Sequence, residues 1–334
     1  MIEELSEDYI PDEVLHREEQ IEKIKDIFQN FLDNKIGTNI IIFGVTGSGK
    51  TLLVKKVMKE MNNAIYVSCD NTLTAFKTLK TLFNLNSKTH QEILETAIKE
   101  LKKNPKILIF DEIDKISRSE DFTKLMSNFN TIYRKTMVPI ILITLKRDIL
   151  NNMKTDVRKT LLFEKLNLPS YNAKELKDIL KQRISKIKLD VDEGIINYIS
   201  ALAAQYGSAR LLMNLLLRCI QKNDFSFDFI DGAFKQIIKE DWIDFINDIN
   251  PTEREFLRTL LYLCNDEKEV SAEELEKKLN ITRQRIYQLI NTFENYSVII
   301  SRHENLGRAG GRKRFVKFAS KEAYDEINKF MGYE

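Results

Sequence analysis

Four runs of consecutive aliphatic residues dominate the first half of the chain: NIIIF at 39–43, AIYVSC at 64–69, KILIF at 106–110 and PIILIT at 139–144. None alternates with polar residues, so neither face of such a strand can meet water, and the runs predict a parallel sheet covered by helices on both sides. The intervening segments carry helical spacing. Beyond Pro169 the strand-like runs stop, and helical periodicities follow over 172–186, 192–205 and 208–222, which predicts an all-helical domain behind the sheet.

A new pattern starts at Pro251. Asn250 can cap, and Pro251 open, a helix reaching Cys264; Ser271 with Glu274 forms a capping box; Thr282 caps a third helix whose Ile286, Leu289, Ile290 and Phe293 recur at core spacing. Residues 297–301 and 314–318 read as two strands flanking LGRAGGRKRF, and helices followed by a hairpin predict a winged helix. The expected division is an α/β nucleotide-binding domain over 1–168, a helical lid over 169–248 and a winged helix over 249–334.

Composition narrows the function classes. A length of 334 residues exceeds what one hydrophobic core organises, so two or three domains are expected. The 52 Lys+Arg against 50 Asp+Glu leave a net +2, so binding to a polyanion must come from local clusters. Cys69, Cys219 and Cys264 have neither disulfide-framework nor metal-site spacing. The acidic start MIEELSEDYI has no apolar signal core, and no run approaches the ~18 apolar residues of a membrane span. A cytoplasmic protein with no membrane partner is expected.

The chemistry begins at Gly44-Val45-Thr46-Gly47-Ser48-Gly49-Lys50-Thr51, a full G-x-x-x-x-G-K-[ST] motif between a strand and a helix that continues with Leu52. Its glycines let backbone amides close around phosphates at a helix N-terminus, Lys50 offsets β/γ charge, and the Thr51 hydroxyl suits magnesium. ATP or ADP with Mg²⁺ is the expected ligand. Strand KILIF runs into Asp111 and Glu112. Asp111 would hold the metal, usually through water, and Glu112 would orient and deprotonate the attacking water. Asp114 reads as a helix cap or as a support for that pair.

With FDEIDKI following the glycine loop, and with YIPDEVLHREEQI (9–21), LPSYNAKEL (168–176) and GSARLL (207–212), nearly the whole chain resembles the archaeal AAA+ initiators related to origin recognition complex subunit one and cell division cycle protein six. The resemblance implies that Tyr9, Ile10, Pro11, His16, Arg17 and Tyr171 line the nucleotide, and that Arg210 is a lid arginine touching the γ-phosphate. Two places depart from the family. Its usual strand-end asparagine is replaced by Thr144 or Leu145, and its D-P-R-like phrase becomes KTDVRKTL, with Arg158 as the remaining candidate finger toward a neighbouring subunit. Tight ATP binding with slow hydrolysis, ATP acting mainly as a latch, is the expectation.

Opposite the apolar stripe of the third winged-helix helix lie Gln284, Gln288 and Asn291, flanked by Arg283, Arg285 and Tyr287: amides that can pair with adenine edges and cations for phosphate. The hairpin adds Arg302, Arg308, Arg312, Lys313, Arg314 and Lys317 against Glu304, with Gly307, Gly310 and Gly311 allowing close backbone approach, as in a wing that meets the duplex backbone or minor groove. A helix over 72–85 would carry Leu73, Phe76, Leu79 and Phe83 on one face and Lys77, Thr78, Lys80 and Thr81 on the other, at the place where the initiators insert a DNA-contacting helix. The residues alone yield an ATP-switched binder of double-stranded DNA. The resemblance adds an origin duplex, the minichromosome maintenance helicase as a partner, self-association on DNA and a nucleoid location. A DNA-bound transcription regulator and a mobile-element or plasmid-type ATPase remain the alternatives.

Overall fold

The computed structural model describes residues 2–69, 74–83, 89–116, 120–146, 149–264, 268–305 and 312–332. The chain forms two compact units, Met1–Arg210 and Leu211–Glu334. The first begins with α1 (Glu18–Asn34), β1 (Ile40–Phe43), α2 (Lys50–Met61), β2 (Ala64–Ser68), α3 (Ala75–Phe83), α4 (His90–Lys103) and β3 (Ile107–Asp111). It continues through α5 (Glu120–Thr136), β4 (Ile140–Thr144), α6 (Thr155–Leu161), β5 (Glu164–Asn167), α7 (Ala173–Ile187) and α8 (Glu193–Ala204), and α9 (Ala209–Lys222) starts at its end.

The strands lie parallel in the order β2-β3-β4-β1-β5. The aliphatic runs make this order possible: β1, β3 and β4 are buried at every position, which only a sheet with helices on both faces can provide. Ile24 and Phe28 of α1, Leu53 and Val54 of α2, and Phe122 and Phe129 of α5 complete the core, with the Phe110 and Phe129 ring centroids 4.2 Å apart. β5 has no aliphatic run to announce it. Its sequence EKLN buries only Leu166, as an edge strand can, and its ladder with β1 is backbone work.

Because every strand points the same way, the loops after β1, β3 and β4 emerge on one edge, where α2 also starts. This is the crevice that open parallel sheets use for ligands. The lid helices follow from local signals: Asn172 and Glu175 cap each other at the head of α7, and the Asp192 side chain accepts the Gly194 N–H at the head of α8.

The second unit contains most of α9, then α10 (Phe227–Asp248), α11 (Pro251–Cys264), β6 (Val270–Ser271), α12 (Ala272–Leu279), α13 (Arg283–Asn295), β7 (Ile299–Asn305), β8 (Arg312–Phe318) and α14 (Lys321–Met331). A small antiparallel sheet, β6-β8-β7, closes a winged helix. The Asn250, Ser271 and Thr282 caps form as read from sequence, and Ile286, Leu289, Ile290 and Phe293 are buried. The two compact units part inside α9. α10 packs on the winged helix, its Phe245 ring stacking on Tyr296 with centroids 3.7 Å apart and meeting Phe293 edge-on at 5.4 Å. Among the described residues no helix is long and apolar enough to cross a membrane.

Candidate functional site

The glycine loop takes its shape from backbone strain that only glycine tolerates. Gly47 and Gly49 have φ of +75° and +91°, and a Cβ on Gly47 would sit 2.0 Å from the Ser208 hydroxyl oxygen. Gly49 heads α2 without any side-chain cap, so the amides of the first helical turn remain available to an anion. The buried Ser48 Oγ has no hydrogen-bond partner. Lys50 folds back, donating from Nζ to the carbonyls of Gly44 and Val45 at 2.9 and 2.8 Å, and burial pulls its ammonium down to about 8 against the upward pull of Asp111, Asp114 and Glu112. A buried cation, uncapped amides and an orphaned hydroxyl fit a polyphosphate.

Across from Lys50, β3 delivers Asp111, which is 3% exposed. Its Oδ2 accepts the Thr51 hydroxyl at 2.6 Å and the Tyr66 phenol at 2.8 Å, while Oδ1 accepts the Glu112 N–H at 2.8 Å. Burial, then the Asp111 charge, pushes the Tyr66 phenol well above its ordinary value. Thr51 and Asp111 together offer a hydroxyl and a carboxylate, the small oxygen set that magnesium takes from protein when phosphates and water supply the rest. Glu112 follows in the left-handed region at φ 54°, which turns its side chain off the strand line. Burial, the neighbouring Asp111 and Asp114 raise its carboxyl to about 7, while Arg210 and Lys50 pull it down. Arg210 pulls both Lys50 and Glu112 downward, with burial at Lys50 and against it at Glu112, which places the lid arginine within electrostatic reach of the loop.

Thr144 ends β4 at 1% exposure, and its hydroxyl donates to Asp114 Oδ1 at 2.8 Å while accepting the Lys146 N–H at 2.9 Å. The Leu145 N–H reaches the same Asp114 oxygen at 3.2 Å. The Thr144 proton is thus committed to Asp114, and here it cannot also be donated to a phosphate. Asp114 ties β4 to the turn after β3.

The residues expected beside the nucleotide divide. Arg17 is 2% exposed and donates to the carbonyls of Ser48, His16 and Pro169 at 3.3, 2.8 and 2.7 Å, with its guanidinium 3.8 Å above the Tyr171 ring. It pins the loop to the sheet–lid junction. Tyr171 is buried with its hydroxyl beside Gly49. His16 bonds Asp178 on α7 at 3.1 Å, Tyr9 covers Arg183 of α7 at 4.6 Å, Pro11 is buried and Ile10 half-buried. Arg210 pairs with Glu7 at 2.8 Å, and the Ala209 N–H donates to the Gly47 carbonyl at 3.1 Å, so the lid touches the glycine loop directly. Arg158 is exposed on α6. Tyr66, Ser208 and Glu7 were not expected here. An aromatic two residues before a strand end carries no site signal by itself, and the others come from segments distant in sequence.

On the winged helix, Gln284 and Asn291 are exposed and Gln288 half-buried, accepting from Arg285 at 3.1 Å. Arg283 pairs with Glu273 and Glu276 of α12 at 3.0 and 3.3 Å. The hairpin is less one-sided than its sequence. Arg302 meets Glu269 at 2.7 Å and Glu304 at 3.3 Å, and Lys313 meets Glu273 at 3.4 Å. Arg314 corrects the expectation most: at 8% exposure it turns inward to Glu294 at 2.6 Å and Ser301 at 2.8 Å, its guanidinium 5.5 Å from the Tyr287 ring centroid. Gly307, Arg308, Gly310 and Gly311 lie outside the described residues, and the Arg312 side chain is likewise outside them. In α3, Lys77 is exposed and Lys80 half-buried, but Thr78 is buried and bonds the Thr74 carbonyl, because α3 packs on the sheet and on α4 and α5 together. Thr72 and Leu73, and the side chains of Phe76 and Thr81, lie outside the described set.

Residues 40–164 match the ATPase family associated with various cellular activities (AAA). The chain is 28% identical to "ORC1-type DNA replication protein 1" of Sulfurisphaera tokodaii, over 92% of this chain and 86% of that one. It is 27% identical to the protein of the same description from Methanothermobacter thermautotrophicus, over 92% and 90%. The Aeropyrum pernix ORC1 protein, solved in complex with DNA, superposes with a TM-score of 0.65 at 20% identity, over 98% of this chain and 95% of that one.

Proposed function

This chain belongs to the ORC1/Cdc6-type AAA+ ATPases, and from that premise we propose that it is a replication initiator, binding origin duplex DNA under the control of ATP. The observation that carries the proposal is the pairing, in one chain, of a strained glycine loop facing Asp111 and Glu112 with a winged helix whose α13 exposes Gln284 and Asn291. Lys50 and the α2 amides hold the phosphates, Thr51 and Asp111 hold magnesium, and Arg210 exchanges Glu7 for the γ-phosphate. When bound, the metal neutralises phosphate charge. Glu112 in its ionised form accepts a proton from the attacking water.

Hydrolysis is slow in this proposal. The Thr144 proton is spent on Asp114, so the γ-phosphate loses the donor that the family's asparagine supplies. That same commitment disfavours a rapid motor of the mobile-element kind. Arg158, exposed on α6, serves a neighbouring subunit assembled on the DNA. Lys77 and Lys80 offer an added contact to the duplex, and the minichromosome maintenance helicase is the partner recruited. The lid from α7 onward and the winged helix act as separate functional parts.

Duplex affinity measured across salt with ATP, ADP or neither tests the switch: affinity that changes with the nucleotide supports it, and identical curves overturn it. Footprints at replication starts support the initiator; footprints confined to promoters favour a transcription regulator.

A further inference from the structure

We propose that Tyr66 is a positioning residue for the metal step, holding the Asp111 carboxylate in the orientation that presents it to magnesium. Asp111 is a buried carboxylate, and burial of such a group is tolerated only with well-placed donors. Three donors serve it. The Glu112 N–H occupies Oδ1 at 2.8 Å, while Thr51 at 2.6 Å and Tyr66 at 2.8 Å converge on Oδ2. Thr51 belongs to the metal set itself, and the Glu112 N–H is part of the turn after β3 that carries the second acidic residue. Among the described residues, Tyr66 alone reaches Asp111 from outside the site's own loops. It stands on β2, which pairs with β3 along its whole length, Tyr66 opposite Ile109 and Ser68 opposite Asp111.

The phenol is therefore carried by the same rigid ladder as the carboxylate it holds, a more exact support than a loop provides. The ammonium of Lys55 on α2 lies over its ring, 5.9 Å from the centroid. Residues that orient a metal-binding carboxylate commonly change metal affinity by 10–100-fold when removed.

Resting on the metal role proposed for Asp111, the test is Tyr66→Phe, which deletes one hydroxyl and keeps the ring. Fluorescent ADP is titrated into the full chain in EDTA and then at increasing Mg²⁺. The expected result is unchanged ADP affinity in EDTA and a Mg²⁺ half-saturation raised ~10-fold or more. A Mg²⁺ curve that superimposes on the wild type overturns the inference, as does an equal loss of affinity with and without the metal, which marks a merely structural ring. Asp111→Asn separates the two layers. If it abolishes the Mg²⁺ response while Tyr66→Phe leaves it intact, only the role of Tyr66 fails; if it too leaves the response intact, the metal role of Asp111 fails. Should Tyr66→Phe not fold, 3-fluorotyrosine at position 66, a stronger donor of the same shape, is expected to lower the half-saturation, and an unmoved value overturns the proposal.

Discussion

Glu112 and Lys50 face each other across the phosphate crevice with ionisation pulled in opposite directions from their ordinary values. For Glu112, burial and the charges of Asp111 and Asp114 place the carboxyl near 7. In the nucleotide-free protein its carbon resonance is expected to titrate near pH 7, and Asp114→Asn should move that midpoint downward. A midpoint in the ordinary range near 4.3 counts against the assigned environment. The linkage has a definite sign: a raised folded value stabilises the protein fully below the unfolded carboxyl's range and loses that contribution as pH rises through about 7. Glu112→Gln should keep ATP binding and slow hydrolysis ~100-fold or more, as expected for loss of a general base. Lys50 runs the other way. Burial holds its ammonium at about 8, and a polyphosphate favours the charged form, so nucleotide binding should take up a proton increasingly as pH passes 8. Calorimetric titration in two buffers of different ionisation enthalpy measures that uptake directly.

Helix α13 and the β7–β8 hairpin show why a charge count along a sequence misjudges a surface. Arg302, Lys313 and Arg314 lie on the paired strands β7 and β8, yet folding brings Glu269, Glu273 and Glu294 to them from β6's flank, α12 and α13. Lys313 and Arg302 remain exposed enough to exchange a weak intramolecular pair for a phosphate, since surface pairs contribute only ~0–1 kcal/mol. Arg314 is a brace between hairpin and helix. Lys313→Ala should therefore lower the slope of log affinity against log salt by ~1, whereas Arg314→Ala should leave the slope alone and reduce chemical-denaturation stability by ~1–3 kcal/mol through the Glu294 carboxylate left unpaired. A reduced slope for Arg314→Ala without loss of stability would return it to the DNA surface. Most strands and helices were legible from local signals: aliphatic runs for β1 to β4, caps for α11, α12 and α13, and helical periodicity for α7 to α9. β5 and β6 were not, because they are short edge strands held by backbone pairing; α14 was missed although Ser320 caps it and Ala323, Ile327 and Met331 form its apolar stripe.

Taken whole, the molecule keeps its nucleotide chemistry in Met1–Arg210 and its winged helix in Leu211–Glu334, with α9 starting in one and ending in the other. Scanning calorimetry with Mg²⁺ and ATP at ~100 times the dissociation constant should stabilise the first unit by about 2.7 kcal/mol, and a thermogram indifferent to ATP would contradict the assigned pocket. Residue order alone determined the parallel sheet, the phosphate loop, the acidic strand end and the helix–helix–hairpin order, because each depends on neighbours within a few positions: side-chain periodicity, caps and glycine's access to positive φ. Packing decided the rest. Whether Arg17 and Arg314 are ligands or braces, whether the Thr144 proton is spare, and which phenol supports Asp111 depend on groups more than ten residues apart meeting within about 3 Å. A hydrogen bond has only one proton to give, and only the folded chain shows where it goes.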